Sequence, residues 1–283
     1  MKKQLILVSA GIILLLVLFL LGRTTSNKSL NSVEKSDSST VTAFDIIHFI
    51  ALEKAKLTPN QTIIVTKLET NLSASNPTAK KLEANNSLAA FWKDSAKSFE
   101  PYAFYISEGS KLDNSEKNLT FAARIFLDNL RAEKNQAKLN WETTTAIGLF
   151  ERALKLNPDN DDLKIGLGSC YIYGKGRSGD PQETMQGIQQ LLSVVRKDSN
   201  NMQAQMMLGV GGLVSGQFDK SIERLEKVVT QQPQNAEAVA YLADAYAGKG
   251  DKVNAVKWYN ISKRLIKNPH YTEEVDARIK TLK

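Results

Sequence analysis

From residue 42 onward, apolar residues recur every three or four positions, as Ile222, Leu225 and Val228 do. No stretch alternates apolar and polar residues with the two-residue period of a strand. The pattern therefore predicts an all-α domain.

Residues 42–83 are the least regular part of this domain. Phe44, Ile47, Ile50 and Ala51 could form one apolar helix face, and the pairs at 58–59 and 76–77 place a proline at a helix start. We expect two or three short helices here that cap the array of repeats or pack on its first repeat.

The N-terminus carries an apolar run of 17 residues, Leu5 to Leu21, with no charged residue. As a helix it would span roughly 26 Å at about 1.5 Å per residue, close to the lower limit for crossing a bilayer. Residues 1–23 are therefore predicted to be a single transmembrane anchor. A cleaved signal peptide is the alternative, although the run is long for one and no small-residue cleavage pattern follows it.

Residues 24–41 are rich in Ser, Thr, Asn and Lys and have almost no large apolar side chain, which predicts a flexible tether. Positive charges lie on both sides of the apolar run, so the orientation signal is weak. We expect a single-pass protein of the inner (cytoplasmic) membrane of a Gram-negative bacterium, with the soluble domain in the periplasm.

Internal repeats are the clearest feature of the soluble part. Leu167-Gly168-x-x-Tyr171, Leu208-Gly209 and Leu242-Ala243-x-x-Tyr246 align with one another, and Leu208 and Leu242 are 34 residues apart. Second-helix halves stand at Ala146-x-x-x-Phe150 and, after Leu242, at Ala255 and Tyr259, with prolines after the helices.

These motifs resemble the tetratricopeptide repeat. The resemblance implies a right-handed α-solenoid of helix–turn–helix units over residues 116–268, with a C-terminal capping helix at 269–283. Residues 42–115 would be a helical N-terminal region that holds one degenerate repeat near 84–115. The function it implies is protein binding without catalysis.

Two units are longer than 34 residues. The unit at about 116–160 is predicted to have a long first helix or loop around Arg131–Trp141. The unit at about 161–201 carries roughly seven extra residues between Tyr173 and Pro181, which predicts a long turn or a contact loop with Lys175 and Arg177 at its tip.

The resemblance also implies a concave groove lined by the second, fifth, ninth and twelfth positions of the first helices. Those positions are unusually apolar in the middle units, which is typical of an interaction surface. The predicted partner-binding groove consists of Ile165, Ser169, Ile172, Gln203, Met206, Val210, Leu213, Glu237, Ala240 and Asp244.

Two occupants of this groove remain open. It could bind a protein or peptide partner, or it could be filled by this chain or by a second copy in a homo-oligomer. The family's carboxylate clamp for chaperone tails needs Lys and Asn in the first helices, and residues such as Asp162, Met207 and Tyr241 stand there instead.

Other chemistry is weakly represented. Gly174-x-Gly176-x-x-Gly179 matches a dinucleotide motif but follows a helix and not a strand, so it indicates a turn. The net charge of +7 comes without basic runs that interleave with aromatics, which argues against nucleic acid. One Cys and two His do not make a zinc site. We therefore expect no cofactor, no metal and no catalytic residue.

Overall fold

The computed structural model describes residues 43–178 and 181–282. Within them regular structure is helical and no strand occurs, so the predicted all-α class is confirmed. The described helices are α1 (Ile46–Lys54), α2 (Pro59–Ala74), α3 (Thr78–Ala90), α4 (Phe99–Asp113), α5 (Glu116–Leu130), α6 (Gln136–Leu156), α7 (Asp161–Cys170), α8 (Pro181–Lys197), α9 (Met202–Val214), α10 (Phe218–Gln231), α11 (Ala236–Lys249), α12 (Lys252–Ile266) and α13 (Pro269–Leu282).

From α5 onward the helices form consecutive pairs: α5 with α6, α7 with α8, α9 with α10, and α11 with α12. Each first helix also contacts the first helix of the next pair, so α5, α7, α9 and α11 form an inner layer. The second helices form the outer layer. This stacking is that of an all-helical, tetratricopeptide-like solenoid.

An asparagine begins each of the last three first helices. Asn160, Asn201 and Asn235 take the N-cap positions of α7, α9 and α11, and each side chain accepts hydrogen bonds from the exposed backbone N–H groups of the first turn. These groups have no partner inside the helix, so the cap sets where each first helix starts.

Close packing within a pair depends on small residues. A methyl group at Gly209 of α9 would lie 2.6 Å from the Leu225 side chain of α10, so only glycine permits this approach. The large side chains Phe126, Phe150 and Leu163 are fully buried between α5, α6 and α7. The interior is packed in this way from one pair to the next.

The two longer units differ in where the extra residues lie. The expected long first helix or loop around Arg131–Trp141 is correct only in part: α5 ends at Leu130 and a loop spans 131–135, but residues 136–141 belong to the 21-residue second helix α6. In the next unit, α7 continues into a π-helical turn (Tyr171–Lys175) and a 3-10 turn (Gly176–Ser178). A π-helical turn accommodates an extra residue in a helix.

The N-terminal helices pack on the first full pair. The ring of Phe44 packs at a tilt against that of Trp141 in α6, with the ring centroids 5.1 Å apart. Helices α3 and α4 form a further pair around the fully buried Trp92. The proposed apolar face of α1 is only partly correct, because Ile50 is buried but Ile47 and Ala51 are exposed.

At the other end, α13 packs against α12 and buries Val275 and Ile279. No helix in residues 43–178 and 181–282 has the length and apolar character needed to cross a membrane. The predicted anchor at 1–23 and tether at 24–41 lie outside the described residues.

Candidate functional site: the inner face of the repeats

The residues predicted to line the concave groove fall into two groups. Ile165, Ser169, Ile172 and Val210 are at most 4% exposed and belong to the core or pack directly beside it. Gln203 is exposed, and the other five residues are half-buried. The four buried side chains cannot contact a partner in this conformation, so the partner-binding role of the set remains a prediction for the accessible residues.

A guanidinium covers the middle of the inner face. Arg131 follows the last residue of α5, and its Nη2 lies 2.6 Å from Oε1 of Glu237 in α11. The same nitrogen donates to the hydroxyl of Tyr241 at 3.1 Å, and the guanidinium carbon lies 5.3 Å from the ring centroid of Tyr173. We call these four side chains the Arg131 cluster.

The two tyrosines of the Arg131 cluster complete the bridge. Their hydroxyl oxygens are 3.2 Å apart, which joins the π-helical turn after α7 to α11. Burial raises the pKa of Tyr173 and that of Tyr241, so both phenols stay neutral. Arg131 and Tyr241 are 110 residues apart in the chain, and their contact shows that the solenoid curves enough for α5 to meet α11.

The C-terminal end of the inner face is also engaged. Asp244, a predicted groove residue, accepts hydrogen bonds from the hydroxyl of Tyr259 at 2.6 Å and from Arg278 of α13 at 2.9 Å. Burial raises the pKa of the Asp244 carboxyl, and the two donors oppose that shift. The capping helix α13 therefore contacts this end of the inner face through Arg278.

What remains accessible is a short strip along α9 and α11. It consists of Gln203, Met206, Leu213 and Ala240, and we call it the inner strip. Met206 and Leu213 pack with one side against the α10–α11 core and leave the other side open. Half-exposed apolar side chains of this kind are suited to contact with a partner.

The predicted contact loop is held to the body of the protein. Lys175 forms an ion pair with Glu183 at 3.0 Å. Arg177 donates to the backbone carbonyls of Leu130 at 2.7 Å and Glu133 at 2.9 Å. Because both cations have partners within the chain, the segment acts as a brace between α5 and α7, and its role in partner contact stays a prediction.

The glycine motif has a packing role at its first position. A methyl group at Gly174 would lie 2.1 Å from Oγ1 of Thr143 in α6, so the glycine allows the π-helical turn to touch that helix. The turn interpretation of the motif is supported, since α8 begins directly after it at Pro181.

A buried carboxyl, that of Glu142, lies between α5 and α6. Oε1 of Glu142 accepts a hydrogen bond from Asn129 at 2.9 Å, and no donor within the described part of the chain reaches its buried Oε2. Burial raises the pKa of Glu142 to about 7, and nearby Glu133 and Glu100 add to the rise.

Sequence reasoning missed the Arg131 cluster. Tyr173 and Arg131 lie outside the groove positions of the repeat pattern, and the pattern marks Tyr241 only as a departure from the carboxylate clamp. The available signal was the extra length of the two long units, because Arg131 follows α5 and Tyr173 lies in the π-helical turn. No group of three or more metal-ligating side chains that could hold an ion occurs among the described residues.

Comparison with known proteins identifies part of the repeat array. Residues 213–268 match the family model of the tetratricopeptide repeat. These residues include α10, α11 and α12, so the predicted repeats are confirmed over this segment.

Curated relatives share limited segments with this chain. BBSome complex member BBS4 of Bos taurus is 28% identical over 159 residues, which is 53% of this chain and 29% of that protein. Cellulose synthase operon protein C of Escherichia coli (strain K12) is 39% identical over 62 residues, which is 22% of this chain and 5% of that protein. The chain thus aligns with less than a third of the length of either relative.

Among solved structures, MamA 41-end from Desulfovibrio magneticus RS-1 is 20% identical, with a TM-score of 0.48. The alignment covers 69% of this chain and 98% of that chain.

Proposed function

We propose that this protein is a non-catalytic interaction scaffold that binds a partner protein through the inner strip. The observation that carries the proposal is the half-exposed apolar pair Met206 and Leu213 on the inner layer of a tetratricopeptide-like solenoid. Repeat proteins of this kind present their inner layer to ligands.

The inner strip suits an extended or helical peptide better than a small molecule. It runs along one face of α9 from Gln203 to Leu213, about 15 Å at 1.5 Å per residue. The Arg131 cluster bounds it on one side, so a bound peptide would follow α9 and not cross the whole inner face. Covering Met206 and Leu213 would remove apolar surface from water, which is the main driving force for such contacts.

We also propose that residues 1–23 tether the scaffold to the inner membrane of a Gram-negative bacterium, with the repeats in the periplasm. The uncharged run Leu5–Leu21 and the polar stretch after it support this arrangement. Membrane fractionation together with protease digestion of intact spheroplasts tests both parts. Recovery of the full chain in the soluble fraction would contradict the tether, and protection of the repeats from protease would contradict the orientation.

A photo-crosslinking amino acid at Gln203 in the native cell tests the binding site. The matched control position is Gln231, which is also an exposed glutamine but lies at the end of the outer helix α10. We expect a crosslinked partner from position 203 that is absent from position 231 and is lost when Met206→Glu is added. Identical products from both positions would contradict a specific inner site.

Self-association is the second candidate function, and a separate surface favours it. Ile47, Leu52, Ile63 and Ile64 on α1 and α2 are 47–68% exposed, although the end of a solenoid is normally covered by polar residues. A second copy could cover this end. Light scattering would then show an oligomer that Ile63→Asp dissociates, while Val253→Asp, at an exposed apolar residue of α12, leaves it intact.

A further inference from the structure

The outer layer contains a cleft between α8 and α10 that the binding function described above does not use. Two adjoining cavities of about 290 and 330 Å³ form it, and they share Leu192 and Arg224. Leu208 and Gly212 of α9 line its floor. The cleft is therefore a continuous furrow between two neighbouring outer helices.

One wall of the cleft is apolar. Met185, Ile188 and Leu192 follow one another at three- and four-residue spacing along α8. Met185 is 46% exposed, and Ile188 and Leu192 are half-buried. From Met185 to Arg196 this wall is roughly 16 Å long, about three helical turns.

The opposite wall is cationic. Lys220, Arg224 and Lys227 recur at helical spacing along α10, and Arg196 stands at the end of the apolar wall. Glu223 is the single carboxylate among the residues that line the two cavities. The cleft therefore combines an apolar stripe with a net positive rim.

These cations are oriented but not neutralised. Lys220 donates to the side-chain oxygen of Gln217 at 2.7 Å, Arg224 to that of Gln205 at 2.9 Å, and Lys227 to the backbone carbonyl of Ser199 at 2.6 Å. All three acceptors are uncharged. In the part of the chain that the structure describes, none of these three cations forms an ion pair, whereas cations such as Lys54, Arg131 and Arg278 do.

We propose that this cleft is a second docking surface, which binds an acidic amphipathic helix of a partner protein. The apolar ridge of such a helix would lie on Met185, Ile188 and Leu192, and its carboxylates would meet Lys220, Arg224 and Lys227. Each new ion pair would form in a furrow that is partly closed to water, where charge-assisted hydrogen bonds are stronger than on an open surface.

Charge also decides against occupants from this protein itself. A second copy carries a formal net charge of +7, and residues 1–41 contain five Lys or Arg against two Asp or Glu. Both would add positive charge to a positive rim. An acidic helix from another protein removes that repulsion and supplies the missing counter-ions.

Fluorescence anisotropy with three labelled helical peptides and the full chain tests the proposal. The first peptide is about 15 residues long, with leucines on one face and glutamates beside them, the second is its scrambled sequence, and the third replaces glutamate with lysine. We expect the first peptide to bind at least about ten times more tightly than the other two, and its binding to weaken as salt is raised.

Variants of the protein locate the site. The double substitution Lys220→Glu with Arg224→Glu should weaken binding of the first peptide at least about tenfold. Met185→Asp should have a similar effect on binding, and it should leave the fold intact because the Met185 side chain lies outside the packed core. The matched control is Lys117→Glu with Lys155→Glu, which changes the net charge equally at two exposed lysines on α5 and α6. This control should change the affinity less than about twofold.

Three results would overturn the proposal. The scrambled peptide could bind as tightly as the first peptide, or both cleft variants could bind the first peptide as tightly as the parent protein does. The third is that the cleft variants lose sedimentation with phosphatidylglycerol vesicles but still bind the first peptide. Met206→Glu is expected to leave peptide binding intact. The Met206→Glu variant therefore tests binding at the inner strip, and the cleft variants test binding at the cleft, so either proposal can fail without the other.

Discussion

The inner face and the outer cleft of the same repeats differ in whether their cations have a carboxylate partner within the chain. On the inner face, Arg131 has a carboxylate, a hydroxyl and an aromatic ring as partners within the chain. In the cleft, Arg224 is positioned by the neutral oxygen of Gln205. A charge that the fold itself satisfies stabilises the fold, whereas a charge that is held in place but not neutralised remains available to a partner.

The apolar residues of the two surfaces also differ, because those predicted for the inner groove are more deeply buried than those of the cleft. Ile172 and Val210, predicted as groove residues, are buried, and Ile188 and Leu192 of the cleft are only half-buried. The comparison teaches that the repeat pattern identifies the inner layer but does not identify which surface is free.

The largest difference should appear between two isoleucines. Ile172→Ala removes a fully buried side chain and should lower the free energy of unfolding by about 3 kcal/mol, because it leaves a cavity. Ile188→Ala on the half-buried cleft wall should lower it by about 1 kcal/mol. Chemical denaturation of both variants measures the difference, and equal losses would mean that the inner face is not the better packed of the two.

The buried Glu142 of α6 should destabilise the protein at alkaline pH. Burial holds its pKa at about 7 in the folded state, above its ordinary value of 4.5, so the fold favours the neutral acid. The stabilisation that comes from the neutral form is fully present below pH 4.5 and is lost as the pH rises through about 7.

Replacing this carboxyl with an amide tests that sign. Glu142→Gln should raise the free energy of unfolding by up to ~3 kcal/mol at pH 8 and change it little at pH 4.5. Thermal or chemical unfolding at the two pH values measures the effect. A constant difference between variant and parent across this range would show that Glu142 does not titrate as described.

Disrupting the Arg131 cluster should lower the free energy of unfolding by less than the Ile172→Ala substitution in the core does. Arg131→Ala removes the ion pair with Glu237, the hydrogen bond to Tyr241 and the contact with the Tyr173 ring, for a loss of about 2 kcal/mol. Arg131→Lys should recover only part of it, because an ammonium can donate to Glu237 and Tyr241 but lacks the planar guanidinium face that lies over the Tyr173 ring. Chemical denaturation measures the loss in free energy of unfolding, and hydrogen exchange of the backbone amides of α11 should become faster in Arg131→Ala. Full stability in Arg131→Lys would show that only the positive charge matters.

The smallest effect is expected in the cleft. Arg224→Ala should change the free energy of unfolding by less than about 0.5 kcal/mol, because its partner is a neutral side chain near the surface. The same denaturation experiment serves as the measurement. A loss as large as that of Arg131→Ala would make Arg224 a structural residue and remove its role as a free counter-ion.

Much of the fold could be read from local sequence. The recurring asparagine caps, the 34-residue spacing of Leu208 and Leu242, and the proline at the start of α8 mark helices that depend on neighbours within a few residues. The start of α6 is also local, because the Asn135 side chain caps it, but the length of the preceding loop does not show that the extra residues belong to the second helix. Ile47 is exposed because α1 is a short helix of nine residues that packs mainly on α4.

Periodicity, caps and glycine spacing are properties of adjacent residues, and they were sufficient to predict that residues 116–268 are built from helix pairs. The burial of Val210 and the accessibility of Met206 and Met185 arise from packing between helices that are distant in the chain. That outcome depends on the curvature of the whole array, which brings Arg131 to Tyr241 across 110 residues. Curvature is the sum of small rotations between successive pairs, and no local pattern records such a sum.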